Sequence, residues 1–207
     1  MDKITLDGKP IAAEAKVYIL LNKPIGYTST RFDPHAEHTV LDLVAGEKAF
    51  LYPVGRLDVD TSGLLILTND GELANLLTHP SHEIDKTYIA VVRGRVQAQT
   101  LNRLGKGVVL EDGQTAPALA RLVGYSRDAD TSTVEMVIHE GRKRQVRRMF
   151  EVTGHRVEKL TRTRLGGLDL RGLAEGQSRH LTKKEVADLR KLASGASRQS
   201  AGTKHLA

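Results

Sequence analysis

The run Leu64-Leu65-Ile66-Leu67-Thr68 limits the fold of this chain more than any other stretch. It is apolar, bounded by turn-forming residues and too short for a helix, so it reads as a buried strand. In front of it lies a polar loop, Gly55-Arg56-Leu57-Asp58-Val59-Asp60-Thr61-Ser62-Gly63. Behind it, Asn69 stands as a candidate N-cap with Glu72 three residues on, the spacing of a capping box. The spacing predicts a helix there, with Leu73, Leu76 and Leu77 facing the core and Pro80 ending it. A polar loop held between such elements can fix a reactive carboxylate rigidly. Asp and Ser beside Gly also build Asx and ST turns, and Asp60 before Thr61-Ser62-Gly63 fits that use. The loop alone therefore leaves Asp58 either structural or catalytic.

The remaining pattern is rich in strands. Residues 4–6, 17–21, 49–54, 86–92, 108–110, 117–124 and 133–139 carry β-formers between turn signals, and 155–170 reads as strands with basic loops. Helical patterns are fewer: residues 39–44, 72–78, 97–105, a segment near 144–150, and one opened by the capping box of Thr182 and Glu185. Strands outnumber helices and the connections are short. The expectation is an α+β fold, a mixed and mostly antiparallel sheet flanked by helices. Residues 1–16 are too few for an independent domain, 17–193 form the main body, and 194–207 lack apolar periodicity and are expected to be a disordered tail.

Charge points to the partner. Lys and Arg number 31 against 25 Asp and Glu, a formal net charge of +6, which favours an anionic partner such as a nucleic acid. Five cations crowd seven positions in Glu140-Gly141-Arg142-Lys143-Arg144-Gln145-Val146-Arg147-Arg148-Met149-Phe150. On a helix, Val146, Met149 and Phe150 share one face and Arg144 and Arg148 oppose it, while Arg147 falls at the border. Such a face is either a solvated surface or a phosphate contact. Tyr88 is either a core residue or a platform for a base. His35 and His38 have helical spacing but no further convincing ligand, so no metal site is expected. The absence of cysteine excludes a thiolate nucleophile and a Cys-ligated zinc. Neither a phosphate-binding Gly-x-x-x-x-Gly-Lys, a dinucleotide fingerprint, a nucleophile elbow nor a His-Glu-x-x-His occurs, so no nucleotide cofactor is expected. No signal peptide or membrane-length apolar run is present, which leads to an expectation of a cytoplasmic protein with no membrane partner.

Four collinear motifs resemble the RNA pseudouridine synthases of the RsuA/RluB/RluE/RluF group. They are Tyr18-Ile19-Leu20-Leu21-Asn22-Lys23-Pro24, Gly55-Arg56-Leu57-Asp58, Lys86-Thr87-Tyr88 and Glu140-Gly141-Arg142-x-x-Gln145-Val146-Arg147-Arg148-Met149. The resemblance covers about residues 3–192, and Asp70-Gly71-Glu72-Leu73-Ala74-Asn75 brings it nearest the RluB branch, whose members modify 23S ribosomal RNA. It implies the synthase catalytic fold, two subdomains sharing one sheet around a central RNA-binding cleft, and cofactor-free isomerisation of uridine in ribosomal RNA with the base flipped out. By the same resemblance Asp58 is the catalytic aspartate, Tyr88 packs on the uracil, and Arg147 pairs with Asp58 and holds it ionised. Arg56 then sits at the RNA, helping to fill the place of the extruded base. Arg142, Lys143, Arg144, Arg148 and Lys23 complete the expected RNA-binding set, and a monomer is expected. Members of the group commonly begin with an S4 RNA-binding domain, of which residues 3–16 are expected to be a last strand and linker.

Two competing readings share these residues. A non-catalytic RNA-binding assembly factor would keep the basic cleft but gain nothing from an acid beside an anionic ligand. A glycosidic hydrolase using Asp58 and Asp60 would need carboxylates on opposite sides of one bond, which two positions on a tight loop do not provide.

Overall fold

In a computed structural model the described residues are 14–194, together with the backbone of two short paired strands, β1 (Thr5–Leu6) and β2 (Lys9–Pro10). The expectations for residues 1–4, 7–8, 11–13 and 195–207 lie outside the described residues. The body follows as β3 (Tyr18–Lys23), β4 (Tyr52–Pro53), β5 (Ser62–Thr68), α1 (Gly71–Thr78), β6 (Lys86–Arg93), α2 (Ala98–Lys106), β7 (Val109–Leu110) and β8 (Gly113–Gln114). It continues through β9 (Leu119–Ser126), β10 (Thr131–Ile138), α3 (Gln145–Glu151), β11 (Val157–Leu165), β12 (Leu168–Asp169), β13 (Ser178–His180) and α4 (Lys183–Ala193).

The central sheet runs β13-β3-β5-β11-β6-β10-β9, with β12 on β11 and β4 on β5. Its neighbours are antiparallel except β5 and β11, which pair in parallel through Thr161 with Ser62 and Arg162 with Gly63. This is the mixed, mostly antiparallel sheet that the strand pattern predicts.

Every residue of β5 is buried because both faces of the sheet are covered there. Leu65 and Leu67 join Ile19, Leu21, Val146, Met149 and Phe150 on one face; Leu64 and Ile66 join Leu20, Leu73, Leu77 and Leu189 on the other. Alternate residues serve two cores, so an unbroken apolar run is what the position demands. Burying each such side chain contributes about 1.5–3 kcal/mol. Toward β10, Val134, Met136 and Ile138 alternate with more exposed neighbours, because this part of the sheet is covered on one face.

The start of α1 differs from expectation. Its N-cap is Asp70, which makes no side-chain cap bond. Asn69 turns away to accept from the Val17 amide at 2.8 Å and to donate to the Ala15 carbonyl at 2.9 Å, so it ties the chain before β3 to the end of β5. Thr182 and Glu185 do form a reciprocal capping box at α4.

Candidate active site

Asp58 projects from the loop that feeds β5, and distant residues hold that loop. The buried Ser29 hydroxyl donates to the Leu57 carbonyl at 2.8 Å and accepts the Leu57 amide at 3.1 Å. The Gly26 amide donates to the Val59 carbonyl at 2.8 Å, and the Thr61 amide closes onto the Asp58 carbonyl at 3.0 Å. Residues on both sides of the acid are therefore clamped through their backbones, while its carboxyl stays about one-third exposed. Sequence reading missed Ser29: a lone serine in a polar loop carries no signal until its partner 28 residues away is known.

A cavity of about 290 Å³ opens beside this acid. Asp58, Arg56, Tyr88, Arg142, Lys143 and Arg144 line it, so six of the predicted site residues meet there. Tyr88 is buried among Ala90, Met136 and Leu160 yet reaches the cavity, serving as core and wall at once. Arg56, Lys143 and Arg144 are exposed at the rim. Lys86 and the buried Arg162 also line the cavity, and neither was singled out as a site residue from the sequence.

The ion pairs differ from the predicted ones. Arg147 reaches Asp60 rather than Asp58: its Nη2 donates to the Asp60 backbone carbonyl at 2.7 Å and lies 3.3 Å from the carboxylate. Its Nη1 donates to the Val157 carbonyl at 3.2 Å. The guanidinium beside Asp58 is that of Arg144, at 3.9 Å, and Arg144 is itself held by a two-point contact to Asp60 at 2.9 and 3.0 Å. Arg144 adopts the left-handed conformation (φ 50°) as the N-cap of α3, uncommon for a residue with a side chain and typical of positions held by a site. Burial pushes the Asp60 carboxyl up, but hydrogen bonds from Arg144 and the charge of Arg147 outweigh it and hold the group below the usual carboxylate range. Asp60 is thus the common anchor of two arginines, not only a turn former.

Two further cations are engaged by the β7–β8 hairpin. Arg142 donates to the backbone carbonyls of Asp112, Gly113 and Gln114 at 3.2, 3.0 and 2.6 Å and pairs with Glu140 at 3.2 Å. Arg148 grips the Asp112 carboxylate at two points, both 3.0 Å. Together they fasten the β7–β8 hairpin to the start of α3. Arg147, Arg148 and Lys23 do not line the cavity that holds Asp58.

Lys23 corrects another expectation. It is fully buried, its ammonium donating to the Pro24 carbonyl at 2.8 Å, and so it is not on the RNA-facing surface. Burial brings its pKa down to about 8, against the opposing pull of Asp58, Asp60 and Glu175. Lys23 pairs with Gly63 on β5, and Gly63 pairs on its other side with Arg162 of β11, so two buried cations flank the strand just beyond the Asp58 loop.

His38 stacks on Tyr27, with ring centroids 5.1 Å apart. Among the described residues no group of three His, Asp or Glu side chains is placed to hold a metal ion. No helix among them is long and apolar enough to cross a membrane.

A fold of this topology with a clamped acid at the mouth of a cation-rimmed cavity is the frame of an enzyme acting on nucleic acid, and residues 17–152 match the family model described as RNA pseudouridylate synthase. The chain belongs to that family and is an isomerase. It is 50% identical over 192 residues to ribosomal large subunit pseudouridine synthase B of Bacillus subtilis (strain 168), covering 93% of this chain and 79% of the relative. An uncharacterized RNA pseudouridine synthase of Aquifex aeolicus (strain VF5) is 42% identical, over 91% of this chain and 76% of that one. A crystal structure of a pseudouridylate synthase superposes with a TM-score of 0.75 at 33% identity, covering 86% of this chain and 75% of the other.

Proposed function

We propose that this chain converts a uridine of large-subunit (23S) ribosomal RNA to pseudouridine, with Asp58 as its catalytic carboxylate. The observation that carries the reading is the clamped Asp58 at the mouth of a cavity walled by Tyr88. The name of the Bacillus relative supports large-subunit RNA as the substrate.

The reaction breaks the bond between C1′ and N1, turns the base, and rejoins it through C5. Its product is an isomer, so atoms and electrons balance with no external partner. The uridine must leave its stack to reach the cavity, as enzymes acting on bases require. Tyr88 then lies against the uracil, and Asp58, ionised, meets the nucleotide near C1′ or C6, a role for which carboxylate nucleophiles have precedent. Arg144 keeps a positive charge beside that carboxylate, and Arg147 acts through Asp60, which positions Arg144. Arg56 and Lys143 at the rim contact RNA, with Arg56 near the gap left by the flipped base. Residues 17–193 serve as the catalytic domain, and the chain works as a cytoplasmic monomer. The hydrolase reading loses ground because the Asp60 carboxylate is committed to two arginines.

Asp58→Asn should abolish pseudouridine formation in 23S RNA, read by chemical mapping, while the dissociation constant for the RNA changes less than about threefold, because phosphate contacts set most of the affinity. Retained activity in this variant ends the assignment.

A further inference from the structure

We infer that Arg162 and Lys86 form a donor pair in the wall of the cavity that donates to a keto oxygen of the uracil ring and makes the pocket selective for it. The inference rests on the proposed function.

Arg162 lies on β11 opposite Tyr88 of β6, so guanidinium and phenol belong to neighbouring positions of the sheet. Arg162 is 3% exposed and lines the cavity. Its Nε donates to the Leu64 carbonyl at 2.8 Å, which fixes the side chain across β5. Its Nη2 is buried and has no hydrogen-bond partner among the described residues. Leaving a charged donor buried and unpaired is costly, so such an atom on a side chain that lines a cavity marks a place for an acceptor. Lys86, two positions before Tyr88, lines the same cavity and donates to the carbonyls of Ile84 at 3.0 Å and His139 at 3.4 Å, leaving one of its three N–H groups uncommitted. Burial, reinforced by the charge of Arg162, brings the Lys86 pKa down to about 8.

The acceptor is a base rather than a phosphate. A phosphodiester continues into the chain on both sides and cannot be drawn down to a residue 3% exposed. A flipped base is a terminal group and can. With C1′ at the part-exposed Asp58, the ring atom farthest from N1 is C4, so its oxygen O4 points away from Asp58, toward the buried part of the lining that holds Arg162. Turning uracil about its N3–C6 axis exchanges N1 with C5 and O4 with O2. After the bond re-forms through C5, O2 takes the place that O4 held. One pair of donors thus serves substrate and product alike, meeting one ring carbonyl before the turn and the other after it. Cytosine presents an amino group at C4, a donor facing donors, and is rejected.

The test uses a 23S fragment that the wild-type chain converts, made with either uridine or 4-deoxyuridine at the target position. Dissociation constants are measured with Asp58→Asn, so that no turnover intervenes, and with Asp58→Asn combined with Lys86→Met or Arg162→Met. Asp58→Asn alone should bind the 4-deoxyuridine RNA on the order of 10- to 100-fold more weakly, the worth of a charge-assisted hydrogen bond. In the double variants that ratio should fall at least about tenfold or collapse toward 1. No preference for uridine in Asp58→Asn overturns the inference, and so does a ratio unchanged by Lys86→Met, even if Arg162→Met fails to fold. A wild type that makes no pseudouridine in any 23S fragment instead removes the functional reading, and this inference with it.

Discussion

Replacing Gly63 by alanine probes the junction on which the site is built. Gly63 has a φ of +111°, a conformation that side-chain-bearing residues rarely adopt. A Cβ placed there would lie 2.2 Å from the Arg162 carbonyl oxygen and 2.7 Å from its amide nitrogen. Both are backbone atoms of the neighbouring strand, so no side chain can swing aside. Ordinary contact would require β5 and β11 to separate by roughly 1.2 Å, at the place where they form the parallel pair. Strain at that φ costs about 1–3 kcal/mol. Weakening one or two ladder bonds and the bond from Arg162 to the Leu64 carbonyl adds about 2 kcal/mol. The expected loss is about 3–5 kcal/mol, a large share of the about 5–15 kcal/mol available to a folded domain. In a chain of this size it corresponds to about 6–20 °C in Tm. Urea unfolding of Gly63→Ala, beside Gly141→Ala as a control with nothing within 4 Å of its added Cβ, measures the difference. Gly63→Ala within about 0.5 kcal/mol of wild type would refute the reasoning, since that is the range of an ordinary surface change.

The stability of wild type relative to Lys23→Met should rise as pH goes from about 8 to about 10.5. The folded amine titrates near 8, below its ordinary 10.5, so in that window the unfolded chain binds the extra proton and wild type gains stability with pH; urea midpoints at pH 7, 9 and 10.5 check this, and a constant gap contradicts it. Asp60→Asn leaves Arg144 and the mostly buried Arg147 without their shared carboxylate and should lower stability by about 1–2 kcal/mol, between the values for exposed and buried pairs. Steady-state assays of the same variant should show a larger fall in kcat than rise in KM; the reverse would place Asp60 in RNA binding instead. Lys143→Ala should lower the slope of log affinity against log salt by about 1, whereas Arg148→Ala, whose charge Asp112 already meets, should leave it nearly unchanged. Equal slopes for the two variants would show that Asp112 releases Arg148 to the RNA.

Much of the fold was legible because its signals are local. The apolar run of β5, the buried face Val146, Met149 and Phe150 of α3, and the Thr182 capping box depend on neighbours within a few positions. What escaped depends on partners far along the chain. Asn69 has the residue type and spacing of a cap, but bonds to Val17 and Ala15 more than fifty positions away claim its amide. Lys23 looks like a surface cation until the register sets it opposite Gly63 inside the sheet. The border position of Arg147 was visible, yet the choice between Asp58 and Asp60 depends on how a loop 87 positions away lies against α3, which no composition rule foretells. The residues gathered around the Asp58 cavity were found mostly through motif resemblance, which supplies the long-range information that periodicity lacks. Arg162, one basic residue among several on β11, gave no sign of its burial.

Asp60 and Asp112 between them occupy the two arginines of α3, Arg144 at its N-cap and Arg142 just before it. This part of the surface is therefore partly self-neutralised, which leaves stray polyanions less open charge to grip. Discrimination against bystander RNA then falls to the geometry of the nucleotide presented, with bulk attraction the lesser influence.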